Sequence, residues 1–170
     1  MSYFVVDIHQ DYVPPNLKKW HGILDRKTLR GKKKNLIPKY SIFQTTHHMQ
    51  TVFTDIILHP CFMVSEKVRQ TIKVYEPSLR FEQITIVDSQ TKKVGIYHIP
   101  ILEELDALTS KRCEKGSMES IKIDGEKTKE KAIFRIENKK KIYVLAHLNL
   151  VESLLRRKVI GIDLRAIDII

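Results

Sequence analysis

Two stretches of the chain carry the same succession of apolar and polar positions. The first runs from Cys61 to Ile86. Cys61-Phe-Met-Val is a short apolar run, the pattern of a buried strand. Ser65 follows where its hydroxyl can accept a free backbone N–H of a first helical turn. Val68, Ile72 and Tyr75 recur at helical spacing and so share one face. Glu76-Pro-Ser ends the helix, because proline lacks a donor and disfavours helical geometry before it. Leu79, Phe81, Ile84 and Ile86 predict the next strand. The second stretch runs from Tyr143 to Ile169. Tyr143-Val-Leu-Ala predicts a strand, and Asn149 to Lys158 a helix with Leu150, Val151 and Leu154 inward. Gly161 is expected to end that helix, and Ile162, Leu164, Ile167 and Ile169 predict a strand. Phe62, Val68 and Ile72 match Val144, Leu150 and Leu154 at one offset. Phe81, Ile84 and Ile86 match Leu164, Ile167 and Ile169 at an offset one residue longer, which an insertion in a turn explains. The recurrence is either an internal pseudo-repeat or the chance reuse of a common unit. In both cases the two units hold most of the apolar sequence and predict the core.

The remaining segments predict mainly strands. Tyr3 to Ile8 is one, broken by Val13-Pro-Pro-Asn. Leu36 to Phe43 reads as extended, and His47 to Thr54 as ambiguous. Val94 to Ile99 pairs with the strand ending at Val87, through the turn Asp88 to Lys93, as a hairpin. Leu102, Leu105 and Leu108 have helical spacing, but Pro100 and the preceding alternation favour an extended path. Thr109 to Ser117 is a polar loop, and Ser120 to Gly125 a short strand and turn. Ala132 to Glu137 and Ile142 to Ala146 form a second hairpin across Asn138-Lys-Lys-Lys. The predicted class is α+β: a mostly antiparallel sheet with two strand–helix–strand units packed as one core. The 170 residues suit a single domain, divided into a basic, less regular region over 9–55 and a core over 56–170.

Composition changes this picture in one respect. The chain is 42% hydrophobic and 29% charged, as ordinary globular proteins are. Cys61 and Cys113 make no disulfide framework, which predicts a reducing, cytoplasmic setting. The start Met-Ser-Tyr-Phe-Val-Val-Asp has no signal-peptide pattern, and no apolar run reaches the length of a membrane span, so no membrane partner is expected. The formal charge of +10 does call for an account. It suits a nucleic acid, an anionic surface or an acidic protein, and says nothing of the fold.

That charge concentrates between Leu17 and Tyr40. Lys18, Lys19, Arg26, Arg30, Lys32, Lys33 and Lys34 lie there with Lys27 and Lys39, against Asp25 alone. The tract reads as a surface excursion. Trp20 and Tyr40 could stack on bases between the lysines, although no groove-docking motif is present. Chemistry is otherwise sparse. There is no phosphate-binding glycine loop, no nucleophile elbow and no His-Glu-x-x-His. His47-His48 lacks the spacing of a zinc site, and Glu103-Glu104 with Asp106 reads as a solvated acidic patch. No cofactor, metal or catalytic residue is expected. Lys18, Lys19, Trp20, Arg26, Arg30, Lys32, Lys33 and Lys34 are the candidate partner-binding residues.

Pro60-Cys-Phe-Met-Val-Ser65, with Glu152-Ser-Leu-Leu-Arg-Arg and Gly161-Ile-Asp-Leu164, resembles the eleventh numbered immunity-protein family of bacterial polymorphic toxin systems. That family carries Pro-x-Phe with a hydrophobic-Ser/Thr strand end, a helix and a Phe-x-x-Val/Ile strand. Later come an apolar Phe-bearing strand, here Ile133-Phe134-Arg135, and a C-terminal strand–helix–Gly-Ile–strand. The likeness covers Ile56 to Ile170. The aromatic, acidic segment that precedes the Pro-x-Phe strand in the family is only partly matched by Val52-Phe-Thr-Asp55, and the basic tract has no counterpart. The resemblance implies a non-enzymatic cytoplasmic protein that binds and neutralises a cognate toxin. A basic nucleic-acid-binding accessory protein is the alternative.

Overall fold

The computed structural model describes residues 2–25, 37–38, 40–46, 48–109, 122–128 and 130–170. Among them are ten strands and two α-helices. In chain order these are β1 (Tyr3–Ile8), β2 (Ser41–Gln44), β3 (Ile56–Ile57), β4 (Met63–Val64), α1 (Glu66–Tyr75), β5 (Phe81–Asp88), β6 (Lys93–Pro100), β7 (Lys122–Ile123), β8 (Ile133–Asn138), β9 (Lys141–His147), α2 (Leu148–Arg156) and β10 (Ile162–Ile169). They form two five-stranded sheets, ordered β2-β5-β6-β4-β3 and β7-β10-β1-β9-β8. The class is α+β and the sheets are mostly antiparallel.

The two sheets have one plan. In each, the first neighbours in the order are parallel (β2 with β5, β7 with β10) and the other three pairings are antiparallel. The hydrogen-bond register fixes the equivalence residue by residue. His98 on β6 stands between Val64 and Gln83, and Phe4 on β1 stands between Ala146 and Ala166. Val64 to Ala146 and Gln83 to Ala166 are the two offsets read from the sequence, differing by one residue. The central strand of the second sheet is therefore β1, supplied from the other end of the chain. In the first sheet the same place is filled by β6, directly after β5.

Local chemistry makes the helices alike as well. Ser65 caps α1, its hydroxyl accepting from the Val68 N–H at 3.4 Å. The equivalent residue, His147, caps α2, its Nδ1 accepting from the Asn149 N–H at 3.3 Å. Val68, Thr71 and Ile72 are the buried face of α1, and Leu150, Val151 and Leu154 that of α2. These faces meet Val6, Ile56, Val64, Leu102, Ile133, Val144 and Ala146 in a shared central core. Each fully buried aliphatic side chain contributes about 1.5–3 kcal/mol there. Tyr75 of α1 and Ser153 of α2 share a hydrogen bond of 2.6 Å. Each half also grips the other. The Asp55 N–H, before β3, donates to the Ile160 carbonyl beyond α2, and Asp55 Oδ2 accepts from the Ile160 N–H at 2.7 Å. At the equivalent place before β8, the Ala132 N–H donates to Glu76 Oε1, beyond α1, at 2.8 Å.

The outer faces carry two further cores. Leu17, Leu24, Phe43, Ile57, Met63, Ile84, Ile86, Tyr97 and Ile99 fill one. Leu105, Ala107, Ile123, Phe134, Ile136, Leu145 and Tyr3 fill the other. Residues 17–24 are thus more than a surface excursion, because Leu17 and Leu24 are fully buried and close the first sheet's outer face. Leu105, Ala107 and Leu108 do the same for the second sheet, on a segment that follows the extended path expected of it from Leu102 onward. Gly161 does not end α2. The helix stops at Arg156, and Lys158 takes the left-handed turn (φ 53°). Gly161, at φ 84°, lies beyond, where a Cβ would stand 2.6 Å from Thr54 Cγ2.

Candidate functional site

Of the candidate partner-binding residues, Arg26, Arg30, Lys32, Lys33 and Lys34 lie outside the described residues. Lys18 and Lys19 are exposed, Lys19 at φ 52°. Trp20 is half-buried against the first sheet's outer core. Its ring stacks on His21 at 3.8 Å and meets His59 edge-on at 5.3 Å. Lys18 and Lys19 are therefore presented by a segment pinned by Leu17, Trp20 and Leu24, and the indole already has partners within the chain.

A second surface comes from the sheets themselves. Ile42 on β2, Thr85 on β5 and Ile96 on β6 stand in one row, with Gln44, Val87 and Val94 in the next but one. Ile42 is 68% exposed, Val94 63% and Ile96 53%. This is the face that α1 packs on farther along the sheet, and here no described element covers it. The equivalent row of the second sheet holds Lys122 and Asp168, with Ser2 at the place of Ile96. The same fold position is thus polar in one half and β-branched in the other. Lys92 and Lys93 stand exposed beside the apolar row. A contiguous exposed apolar patch with a polar rim is the anatomy of a protein interface.

The sequence contained a signal for this row that the strand assignment alone did not use. A strand covered on one face alternates apolar and polar residues, whereas β6 is apolar on both faces: Val94 and Ile96 on one, Tyr97 and Ile99 on the other. The excess apolar face had no partner in the predicted elements.

Charged side chains also meet at the start of α1. Glu66 accepts from Arg69 Nε at 2.8 Å, Arg69 Nη2 at 2.6 Å and Gln70 Nε2 at 3.0 Å. The Arg69 hydrogen bonds hold its carboxyl down to about 2. His98 Nε2 lies 2.7 Å from Glu66 Oε2, without the alignment of a hydrogen bond. Burial keeps the His98 imidazole below its ordinary value, against the pull of Glu66. At this contact the carboxylate of the first turn of α1 lies against the imidazole of β6. Among the described residues, no group of three or more His, Cys, Asp or Glu could hold a metal ion. No described helix is long and apolar enough to cross a membrane.

No protein-family model matches the chain, and no curated protein sequence matches it. The resemblance to immunity proteins therefore rests on the residues quoted for it.

Proposed function

We propose that this chain is a non-enzymatic binding protein that neutralises a cognate bacterial toxin from the cytoplasm of the producing cell. The observation that carries the reading is the exposed row of Ile42, Thr85 and Ile96, extended along β6 by Val94, where the row equivalent to the first three in the other half is Lys122, Asp168 and Ser2. Apolar side chains at such exposure gain free energy only when a partner removes them from water. Lys92, Lys93, Lys18 and Lys19 add positive charge on the same half, within a chain of formal charge +10. That charge steers an acidic partner and speeds encounter. The quoted Pro60–Ser65 and Gly161–Leu164 segments add the resemblance to immunity proteins.

The test is co-expression with the toxin-domain product of the neighbouring gene. A co-purifying complex together with rescued growth is expected, and neither would appear if the reading is wrong. Titrating the complex across a salt series separates it from the nucleic-acid alternative. Duplex binding loses affinity with a log–log slope of about −0.9 per neutralised phosphate, whereas an interface centred on apolar anchors loses far less.

A further inference from the structure

Between the two halves lies a cavity of about 400 Å³, within the range of small-molecule sites, about 300–1,000 Å³. Equivalent positions of the two halves line it. The first half supplies Leu58, Pro60, Cys61, Phe62 and Ile99 to Leu102, with His59 the polar exception, and the second supplies Val5 to Asp7, Arg135 and Lys140 to Val144. The equivalences show where the halves differ. Leu58 corresponds to Arg135, Cys61 to Tyr143, and Ile101 to Asp7. One wall is therefore nearly all apolar, while the opposite wall carries the charged groups.

Those charged groups favour an anion. Among the lining residues Arg135 is compensated by Glu104 and Asp7 already accepts from Arg165 Nη2 at 3.0 Å, so Lys140 and Lys141 carry the excess positive charge. Arg135 Nε stands 3.3 Å from Glu104, and Lys141 lies over the Tyr143 ring at 5.1 Å. The hairpin that delivers the lysines is costly in itself. Lys139 (φ 47°) and Lys140 (φ 69°) occupy the two central positions of the β8–β9 turn. Such a turn favours Asn-Gly, and lysine is strained there. Burial pushes the Cys61 thiol up to about 12, so it serves as wall rather than nucleophile.

We propose that this cavity binds an amphipathic carboxylate, an unbranched acyl chain of medium length whose head group lies toward Lys140 and Lys141 and whose tail lies along Leu58, Phe62 and Ile101. The site is separate from the apolar row and does not depend on the toxin reading.

Calorimetric titration of the full chain with saturated carboxylates from hexanoate to tetradecanoate tests it. One saturable site is expected. Each methylene should tighten binding about fourfold until the cavity is full, and further length should gain nothing. The alcohol of equal length should bind at least tenfold more weakly. Lys140→Gly with Lys141→Gln should weaken the acid at least fivefold and leave the alcohol unchanged, and a glycine at a left-handed position does not threaten the fold. Absence of saturable binding at every length would overturn the proposal. So would equal binding of acid and alcohol, or lysine variants that bind the acid as the parent does.

Discussion

Tyr3 and Tyr97 occupy the same place in the two halves of the molecule and make the same bond. The Tyr97 hydroxyl donates to the Thr54 carbonyl at 2.7 Å, and the Tyr3 hydroxyl donates to the Lys131 carbonyl at 2.9 Å. Thr54 lies two residues before β3 and Lys131 two before β8. Both rings are buried, and burial is the chief cause that raises both phenols above their ordinary value. Each tyrosine thus fastens the central strand of its sheet to the chain entering the far edge strand. Tyr97→Phe and Tyr3→Phe each leave a carbonyl without its partner, so each should cost about 1–3 kcal/mol. Sharing no partner, they should add within about 0.5 kcal/mol. Urea denaturation of the two single variants and the double variant measures both points. A free energy change in only one would mean that the likeness is geometric and not energetic.

Because β1 fills in the second sheet the place that β6 fills in the first, its position in the chain should be dispensable while its presence is not. Deleting residues 2–8 removes a strand bonded to both β9 and β10, and the chain should then fail to unfold cooperatively. Moving the same residues behind Ile170 through a linker of about four to six residues should restore a cooperative transition within about 2 kcal/mol of the parent. The short β5–β6 connection, Ser89 to Lys92, shows the geometry that such a link takes. If the relocated strand fails to rescue folding, the order of the chain matters as well as the topology.

Much of this duplication could be read in the sequence, and the rest was hidden for physical reasons. The offsets between the strand–helix–strand units were legible because Val68, Ile72, Leu150 and Leu154 must face the core at helical spacing. The equivalence of β1 with β6 was not, because it runs across the chain ends and shares only a tyrosine at the matching position of Tyr3-Phe-Val-Val and Tyr97-His-Ile-Pro. β3, β4 and β7 are two residues long, too short for alternation to register. The His147 cap was missed because histidine seldom serves there, though aligning it with Ser65 would have found it. The cavity was illegible in principle, since its walls come from segments far apart in the chain.

The Glu66 and His98 cluster makes stability fall with acid in two separate windows. His98 is held below its ordinary 6.5 by burial, with Glu66 favouring its charged form and Arg69 opposing it. The unfolded chain therefore takes up the proton first, and stability is complete above pH 6.5 and falls as pH drops below it. Glu66 is held at about 2 against an ordinary 4.5. Its contribution is complete above pH 4.5 and is lost as pH falls toward 2. The side chain is 46% exposed, so screening limits that contribution to about 1 kcal/mol or less. Urea midpoints should show His98→Gln flattening the change between pH 7 and 5, and Glu66→Gln that between pH 5 and 2.5. Variants whose profiles run parallel to the parent's would remove these groups as the cause.

Gly161 should tolerate no side chain. Its φ of 84° is strained for an L-residue, and an added Cβ would meet Thr54 Cγ2 at 2.6 Å and Thr54 Cβ at 2.8 Å. Gly161→Ala should cost about 2–4 kcal/mol, of which about 1–2 kcal/mol is the backbone contribution and the remainder overlap. Combining it with Thr54→Ser, which removes Cγ2 and keeps the hydroxyl that donates to the Ile56 carbonyl, should be less damaging than the sum of the single changes. Strict additivity in thermal unfolding would show that the contact relaxes without strain.

If the exposed row is the toxin-binding surface, its side chains should matter to the complex and hardly at all to the free protein. Ile42 and Ile96 are 68% and 53% exposed, and surface changes of this kind usually shift stability by less than about 0.5 kcal/mol. A lysine in place of a central interface anchor leaves a charge unpaired on binding, a loss of about 2 kcal/mol or more, roughly thirtyfold in Kd. Ile42→Lys and Ile96→Lys should therefore each weaken the toxin complex at least thirtyfold while melting with the parent. Lys122→Ala, at the equivalent of Ile42, and Asp168→Ala, at the equivalent of Thr85, should leave the complex unchanged. Charge-reversing Lys18 and Lys19 should slow association and steepen no other step, because exposed charges at a rim act on encounter more than on residence. Should the isoleucine variants bind as the parent does while the lysine variants do not, the recognition surface would lie on the pinned basic segment, and the apolar row would need a different partner.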